Sequence, residues 1–159
     1  MATYVEYFEE IERYIAVEFD NETILRMMIL SSLDELEYLV DDFILDGELP
    51  LLQDLQRFFR GEIIDFSRHR IDMSGYSPFV KEVLETVSRI PFGRTLSYSD
   101  VAELIGKPRA CRAVGNAVGS NRTAIVIPCH RVVGKNNLGG FGDLGLDLKR
   151  KLLEVEKGD

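Results

Sequence analysis

The chain has no tryptophan, and only two cysteines, two histidines and five prolines in 159 residues. Two cysteines, both in the second half, cannot build a disulfide framework, which agrees with a reducing compartment. Cys111, Cys129, His69 and His130 have the right number for a zinc site. The cysteines lack the close pairing of structural sites, however, and His69 is far away in sequence, so no metal is expected. There is no glycine-rich phosphate loop, no repeat and no low-complexity tract, and no cofactor is expected. No apolar run approaches the roughly 18 residues of a membrane span, and Met1-Ala2-Thr3-Tyr4 does not open a basic-then-apolar leader. The expectation is a soluble, cytoplasmic protein with one sizeable core or two small packed lobes.

Positive charge is scarce overall, with a net charge of -8, but it is unevenly placed. Residues 1–76 hold 18 acids and 6 bases, whereas residues 77–159 hold 9 acids and 13 bases. The change falls at the turn-rich stretch Ser74-Gly75-Tyr76-Ser77-Pro78, which divides the chain into expected domains 1–74 and 75–159. Between residues 89 and 135, Arg89, Arg94, Lys107, Arg109, Arg112, Arg122, Arg131 and Lys135 face only Asp100 and Glu103. Local charge decides phosphate affinity, so this segment fits a nucleic-acid contact as well as a merely solvated basic face.

The densest chemistry lies in Ile127-Pro128-Cys129-His130-Arg131-Val132. Ala124-Ile125-Val126-Ile127 before it and Val132-Val133 after it carry the apolar, β-branched character of buried extended segments. Proline cannot donate to a strand ladder, so the spacing predicts a buried strand ending where Cys129 begins. Free cysteine is also a common core residue. A neighbouring base and cation raise the thiolate fraction of a thiol, and His130 and Arg131 are placed to do so. Taken alone, Cys129-His130 fits a hydrolase, a redox thiol or a buried pair.

Around this motif the second half is punctuated as helices. Ser77-Pro78 offers a cap and a first-turn proline to a helix whose face is Phe79, Val83, Leu84 and Val87, stopped by Pro91-Phe92-Gly93. Ser97, with Asp100 three residues on, forms a variant capping box for a second helix with a stripe of Val101, Leu104 and Ile105. Gly106-Lys107-Pro108 ends it, and Ala110, Ala113, Val114, Ala117 and Val118 follow as the buried face of a third. The opposite face carries Arg109, Arg112, Gly115, Asn116 and Gly119. Two helices joined by a short glycine-containing turn outline a helix-turn-helix. Glycines on a helix face cost about 1 kcal/mol each relative to alanine, a cost that close approach of a packed helix or of DNA offsets. In the last helix, spacing from Leu152 and Leu153 puts Glu156 on the apolar side, where a carboxylate near a C-terminus calls for a partner. In the acidic half, Tyr4 to Phe19 and Leu33 to Ile44 read as amphipathic helix or helix mixed with strand. Leu51 to Phe59 reads as a helix ended by Gly61.

Taken together, Ile90-Pro91-Phe92-Gly93-Arg94-Thr95, Ser97-Tyr98, Arg112-Ala113-Val114-Gly115-Asn116-Ala117 and Ile127 to Val133 resemble the O6-alkylguanine-DNA alkyltransferases. These suicide repair proteins are also called methylated-DNA-protein-cysteine methyltransferases. The resemblance runs from about Leu52 to Glu156 and is strongest from Pro91 to Val133, while the first fifty residues match poorly. It implies an α+β fold: a small, variable, ribonuclease H-like N-terminal lobe and a mostly helical C-terminal domain with a helix-turn-helix. It also implies a monomer that meets O6-alkylguanine in double-stranded DNA through the minor groove, with no membrane contact.

By the same resemblance, Cys129 would accept the alkyl group as a thioether, His130 would act as base through a water, and Glu156 would orient His130. Tyr98 would donate to the base at N3, and Asn121, otherwise only a helix stop, would tie the recognition helix to the active-site segment. Arg112 would fill the stack left by the flipped nucleotide, on a face shared with Arg109, Ala113, Gly115 and Asn116. The Val132 carbonyl would accept from the guanine amino group. The lid departs from the family pattern, since Gly139-Gly140-Phe141-Gly142-Asp143 replaces an aromatic, often tyrosine, amid glycines. Phe141 and Gly142 are its expected pocket residues. A non-catalytic alkyltransferase-like protein would lack Cys129. A helix-turn-helix regulator would leave Cys129-His130 and Glu156 without a role, and a hydrolytic cysteine enzyme would need turnover that a thioether forbids.

Overall fold

Alternating burial in the first residues builds strands rather than helices. The computed structural model describes residues 1–158, which divide into two compact units, residues 1–72 and residues 73 onward. The division lies two residues before the expected 74/75 boundary.

In the first unit, β1 (Ala2–Phe8), β2 (Arg13–Asp20) and β3 (Thr23–Leu30) form an antiparallel meander. The segment Tyr4 to Phe19, expected to include helix, is thus two strands and a turn. Its β-branched and aromatic residues pack on a pleated surface, and Ile15, Ala16 and Val17 are all buried because β2 is covered on both faces. The β2–β3 turn, Asn21-Glu22, has positive φ at both residues (47° and 63°), the geometry that matches strand twist in a two-residue hairpin. Leu33–Glu37 is a short helix, α1, and the rest of the expected 33–44 helix is loop and a two-residue strand, β4 (Ile44–Leu45). With β5 (Arg70–Ile71), the sheet order is β4-β1-β2-β3-β5, and both edge strands run parallel to their neighbours.

Helix α2 (Pro50–Phe59) begins with proline at its first position and buries Leu51, Leu52, Leu55, Phe58 and Phe59. Gly61, at φ 88°, follows its end, as the sequence indicates. The buried Asp54 on α2 accepts from Arg68 at 2.6 and 2.9 Å and pairs with His69 at 2.6 Å, which fastens the chain leading into β5. Burial raises the Asp54 carboxyl, but these bonds outweigh it and hold the group below its ordinary value.

The second unit is helical. Helix α3 (Pro78–Ser88) is capped by Ser77, whose Oγ accepts from Val80 N at 3.2 Å, and it buries Val83, Leu84 and Val87. Helix α4 (Tyr98–Leu104) starts with the reciprocal Ser97/Asp100 capping box. Its stripe differs from expectation: Val101 and Ala102 are buried, whereas Leu104 is 66% exposed. The short helix turns only Val101 and Ala102 toward α3 and α5. Helix α5 (Cys111–Gly119) buries Val114, Ala117 and Val118, leaving Ala113 on the open face. Helix α6 (Leu146–Lys157) closes the unit. Two short strands, β6 (Leu96–Ser97) and β7 (Val132–Val133), pair in parallel and join the start of α4 to the segment after Cys129.

Candidate active site

The segment that carries Cys129 is a buried turn, not the strand end the sequence suggests. Ile125 has φ 77°, Ala124 and Ile127 form only an isolated bridge, and Ile127 N donates to Thr123 O at 3.0 Å. Asn121 takes the place of sheet pairing. Its Nδ2 donates to Ile127 O at 2.9 Å and its Oδ1 accepts from Thr123 N at 3.0 Å, so one amide side chain holds both ends of the turn. Cys129–Arg131 then form one 3-10 turn before β7. Every residue from Thr123 to Val132 is buried, so the segment is as apolar in its surroundings as a core strand while following a different backbone path.

Glu156 on α6 lies under this turn. It pairs with His130 Nε2, accepts from Arg131 Nε at 2.9 and 3.0 Å, and accepts from the backbone N–H of Gly93 at 2.9 Å. Arg131 Nη1 also donates to Ile90 O at 2.7 Å. The Pro91-Phe92-Gly93 stop therefore does more than end α3: Gly93, at φ 80°, turns its amide toward the carboxylate. The arginine counted from sequence as part of a basic face is an internal ion-pair partner, only 6% exposed.

The electrostatics follow from burial. Desolvation lowers the His130 pKa and outweighs the pull of Glu156, with the charges of Arg131 and Lys149 adding to the lowering, so the imidazole is neutral near pH 7. With Nε2 engaged by Glu156 as the protonated nitrogen, Nδ1 is the basic one. Burial raises the Glu156 carboxyl, but the hydrogen bonds from His130 and Arg131 outweigh it and keep the group ionised. Burial also pushes the Cys129 thiol up, opposed by the Asn121 hydrogen bond and the positive charge of Lys149.

Tyr98, the first residue of α4, stands beside the lid. Its Oη accepts from Gly140 N at 3.3 Å, and its ring lies 3.8 Å from where a Cβ on Gly115 would be. Gly139 lies so close that a Cβ there would come within 2.7 Å of the Tyr98 hydroxyl, at a φ of 73° that already favours glycine. Phe141 is half-buried, and Gly142, exposed, opens the 3-10 turn Gly142–Leu144. Arg109, Arg112, Ala113 and Asn116 are exposed and Gly115 is half-buried, so these five share the outward side of the α4–α5 hairpin. Sequence reasoning overlooked Lys149. Its Nζ donates to Val132 O at 2.7 Å and Gly140 O at 2.8 Å from a fully buried position. The signal was present: Lys149, Leu152 and Glu156 fall at i, i+3 and i+7 on one helix face.

The profile described as "6-O-methylguanine DNA methyltransferase, DNA binding domain" matches residues 78–158, half of the chain, and these contain the whole constellation. The chain belongs to this family. A probable methylated-DNA-protein-cysteine methyltransferase of Acanthamoeba polyphaga mimivirus is 47% identical over 106 residues, covering 67% of this chain and 70% of that protein. The corresponding Mycolicibacterium paratuberculosis protein is 45% identical over 107 residues, and the match spans 67% of this chain but only 63% of that relative. Among solved structures, Mycobacterium tuberculosis OGT in complex with DNA superposes with a TM-score of 0.83 at 30% identity, over 99% of this chain and 94% of that one. The α+β class is that of this family, and the first fifty residues, where sequence resemblance is poor, are included in the structural match.

Proposed function

We propose that this chain repairs DNA directly, moving the alkyl group of O6-alkylguanine in double-stranded DNA irreversibly to Cys129, once per protein molecule. The observation that carries this reading is the buried row of Cys129, His130 and Glu156, set in the same unit as a helix hairpin with a basic, small-residue outer face. The thiol proton passes through a water to His130, the sulfur attacks the alkyl carbon, and the carbon–O6 bond breaks as the carbon–sulfur bond forms. Guanine leaves with negative charge, which the Tyr98 hydroxyl, donating at N3, stabilises. That hydroxyl accepts from Gly140 N–H, which leaves its proton for the base. Glu156 orients His130 and Asn121 shapes the turn that presents Cys129. A carbonyl oxygen has two lone pairs, so Val132 can accept from the guanine amino group while holding Lys149. Phe141 and Gly142 wall the pocket.

A base reaches a buried thiol only by leaving the stack, a step cheapest at a damaged pair. Arg112 is long, cationic and exposed among Ala113, Gly115 and Asn116, and it fills the vacated space, while Arg109 contacts the backbone phosphates. Among the described residues no helix is long and apolar enough to cross a membrane. With both cysteines free, we place the protein in the cytoplasm, acting as a monomer. The test incubates the protein with duplex DNA containing O6-methylguanine and maps its peptides by mass spectrometry. One methyl on the Cys129 peptide, in stoichiometric yield, is expected. Unmodified Cys129 with intact lesion, or repair continuing beyond one event per molecule, refutes the reading.

A further inference from the structure

Lys149 is the one fully buried lysine among the described residues, and the relay of Cys129, His130 and Glu156 gives it no task. Lysine is almost never buried without partners, and here two carbonyls take its protons: Val132 O on the strand after Cys129 and Gly140 O in the lid. The aromatic rings of Tyr98 and Phe141 both lie 5.9 Å from Nζ, so the ammonium is bracketed by the residues that line the base pocket. Gly140 is held twice, through its carbonyl by Lys149 and through its N–H by Tyr98.

Charge balance assigns the lysine a second task. Around the 129–131 turn, His130 and Arg131 are bonded to Glu156 of α6, and Lys149 of α6 is bonded to Val132, three residues after Cys129. With Cys129 as a thiol, two buried cations stand against one carboxylate. Losing the thiol proton to solvent brings the cluster to neutrality, whereas passing it to His130 leaves the net charge unchanged and sets the thiolate among cations; uncompensated buried charge is costly.

We propose that Lys149 is a positioning residue for alkyl transfer: its buried ammonium ties the lid to the strand that follows Cys129 and supplies the counter-charge for the Cys129 thiolate. This rests on Cys129 being the acceptor. Lys149 exchanges no proton in the step; the thiol proton goes to His130 and the alkyl carbon moves from O6 to sulfur. The influence is mutual. Burial lowers the Lys149 pKa to about 8, and the negative charge of ionised Cys129 opposes that fall.

The experiment compares the full chain with Lys149→Met and Lys149→Arg. Iodoacetamide reports the thiolate, and the Cys129 peptide is followed by mass spectrometry so that the exposed Cys111 does not interfere. In Lys149→Met the pH midpoint of Cys129 alkylation rises by about one unit or more, and Lys149→Arg, which keeps the charge, restores it. Single-turnover transfer from O6-methylguanine duplex at pH 7 slows by about tenfold or more in Lys149→Met, while binding to unmodified duplex stays within about twofold. A folded Lys149→Met protein with an unchanged midpoint overturns the proposal. If Lys149→Met does not fold, the Lys149 side-chain NMR shift is titrated in wild type and in Cys129→Ser. A lower lysine midpoint in Cys129→Ser supports the proposal, and equal midpoints overturn it. The iodoacetamide profile needs no DNA, so wild-type protein that fails to take a methyl group overturns the repair reading separately.

Discussion

Glu156 collects bonds from His130, Arg131 and Gly93, and its removal leaves Arg131 as an uncompensated buried cation. Breaking a buried pair in this way costs about 3–5 kcal/mol, so Glu156→Ala should lower the urea midpoint sharply as well as abolish transfer. Glu156→Gln, which loses the charge but keeps an acceptor oxygen, should be less destabilised and still slow in transfer; equal stability of both variants would show that the hydrogen bonds from Arg131 and Gly93 add nothing beyond the charge. The pH dependence of stability has one sign for both His130 and Glu156. The folded His130 stays neutral at pH values where the unfolded histidine, near 6.5, takes a proton, so its contribution is complete above 6.5 and declines below it. The folded Glu156 stays ionised below its unfolded value of 4.5, so its contribution persists above 4.5 and is lost as pH falls through the lower folded value. Urea melts from pH 7 downward should therefore weaken in two stages, and His130→Asn should lose the first. At this scale Cys129 and His130 were legible because they are adjacent, and Glu156 because of its helical spacing. Lys149 shares that spacing but was overlooked, because charged residues in a helix normally point outward, and its two carbonyl partners show that it does not.

Among the elements, α5 carries the sharpest contrast between stability and function. A Cβ on Gly115 would make only an ordinary 3.8 Å contact with Tyr98, so nothing within the unit requires glycine there. Gly115→Ala should raise thermal stability, by up to about 1 kcal/mol, yet weaken binding to duplex DNA, because the added methyl stands on the face we propose for DNA. Binding unaffected by this change would place DNA elsewhere. Helices α3 to α5 were legible because caps and stops at Ser77, Ser97 and Gly106 agree with the apolar period. The hairpin β1–β2 was not, since β2 is buried on both faces and loses the simple alternation that marks a strand. The run Ala124 to Ile127 misled in the opposite sense. Its apolar residues are buried as expected, but Asn121 and the positive φ of Ile125 bend it into a turn.

For the molecule as a whole, the net charge of -8 conceals a second half richer in bases than acids. Binding to duplex DNA should weaken by about tenfold or more between roughly 50 and 200 mM salt, as counterion release requires, despite the acidic total. A salt-independent affinity would show that Arg109, Arg112 and their neighbours do not meet phosphate. The surface share of this charge is smaller than the sequence count, because Arg131 is internal and Lys107 lies 3.6 Å from Glu82. By itself, the sequence determined the acidic and basic halves, the boundaries of helices α2 to α5 and the pairing of a thiol with a base, because caps, glycines and charge act over a few residues. Only the tertiary structure decided that Arg131 faces inward, that Asn121 shapes the turn before Cys129 and that Lys149 and Glu156 meet it from α6. Those choices depend on burial and on bonds between segments far apart in the chain, which local spacing does not encode.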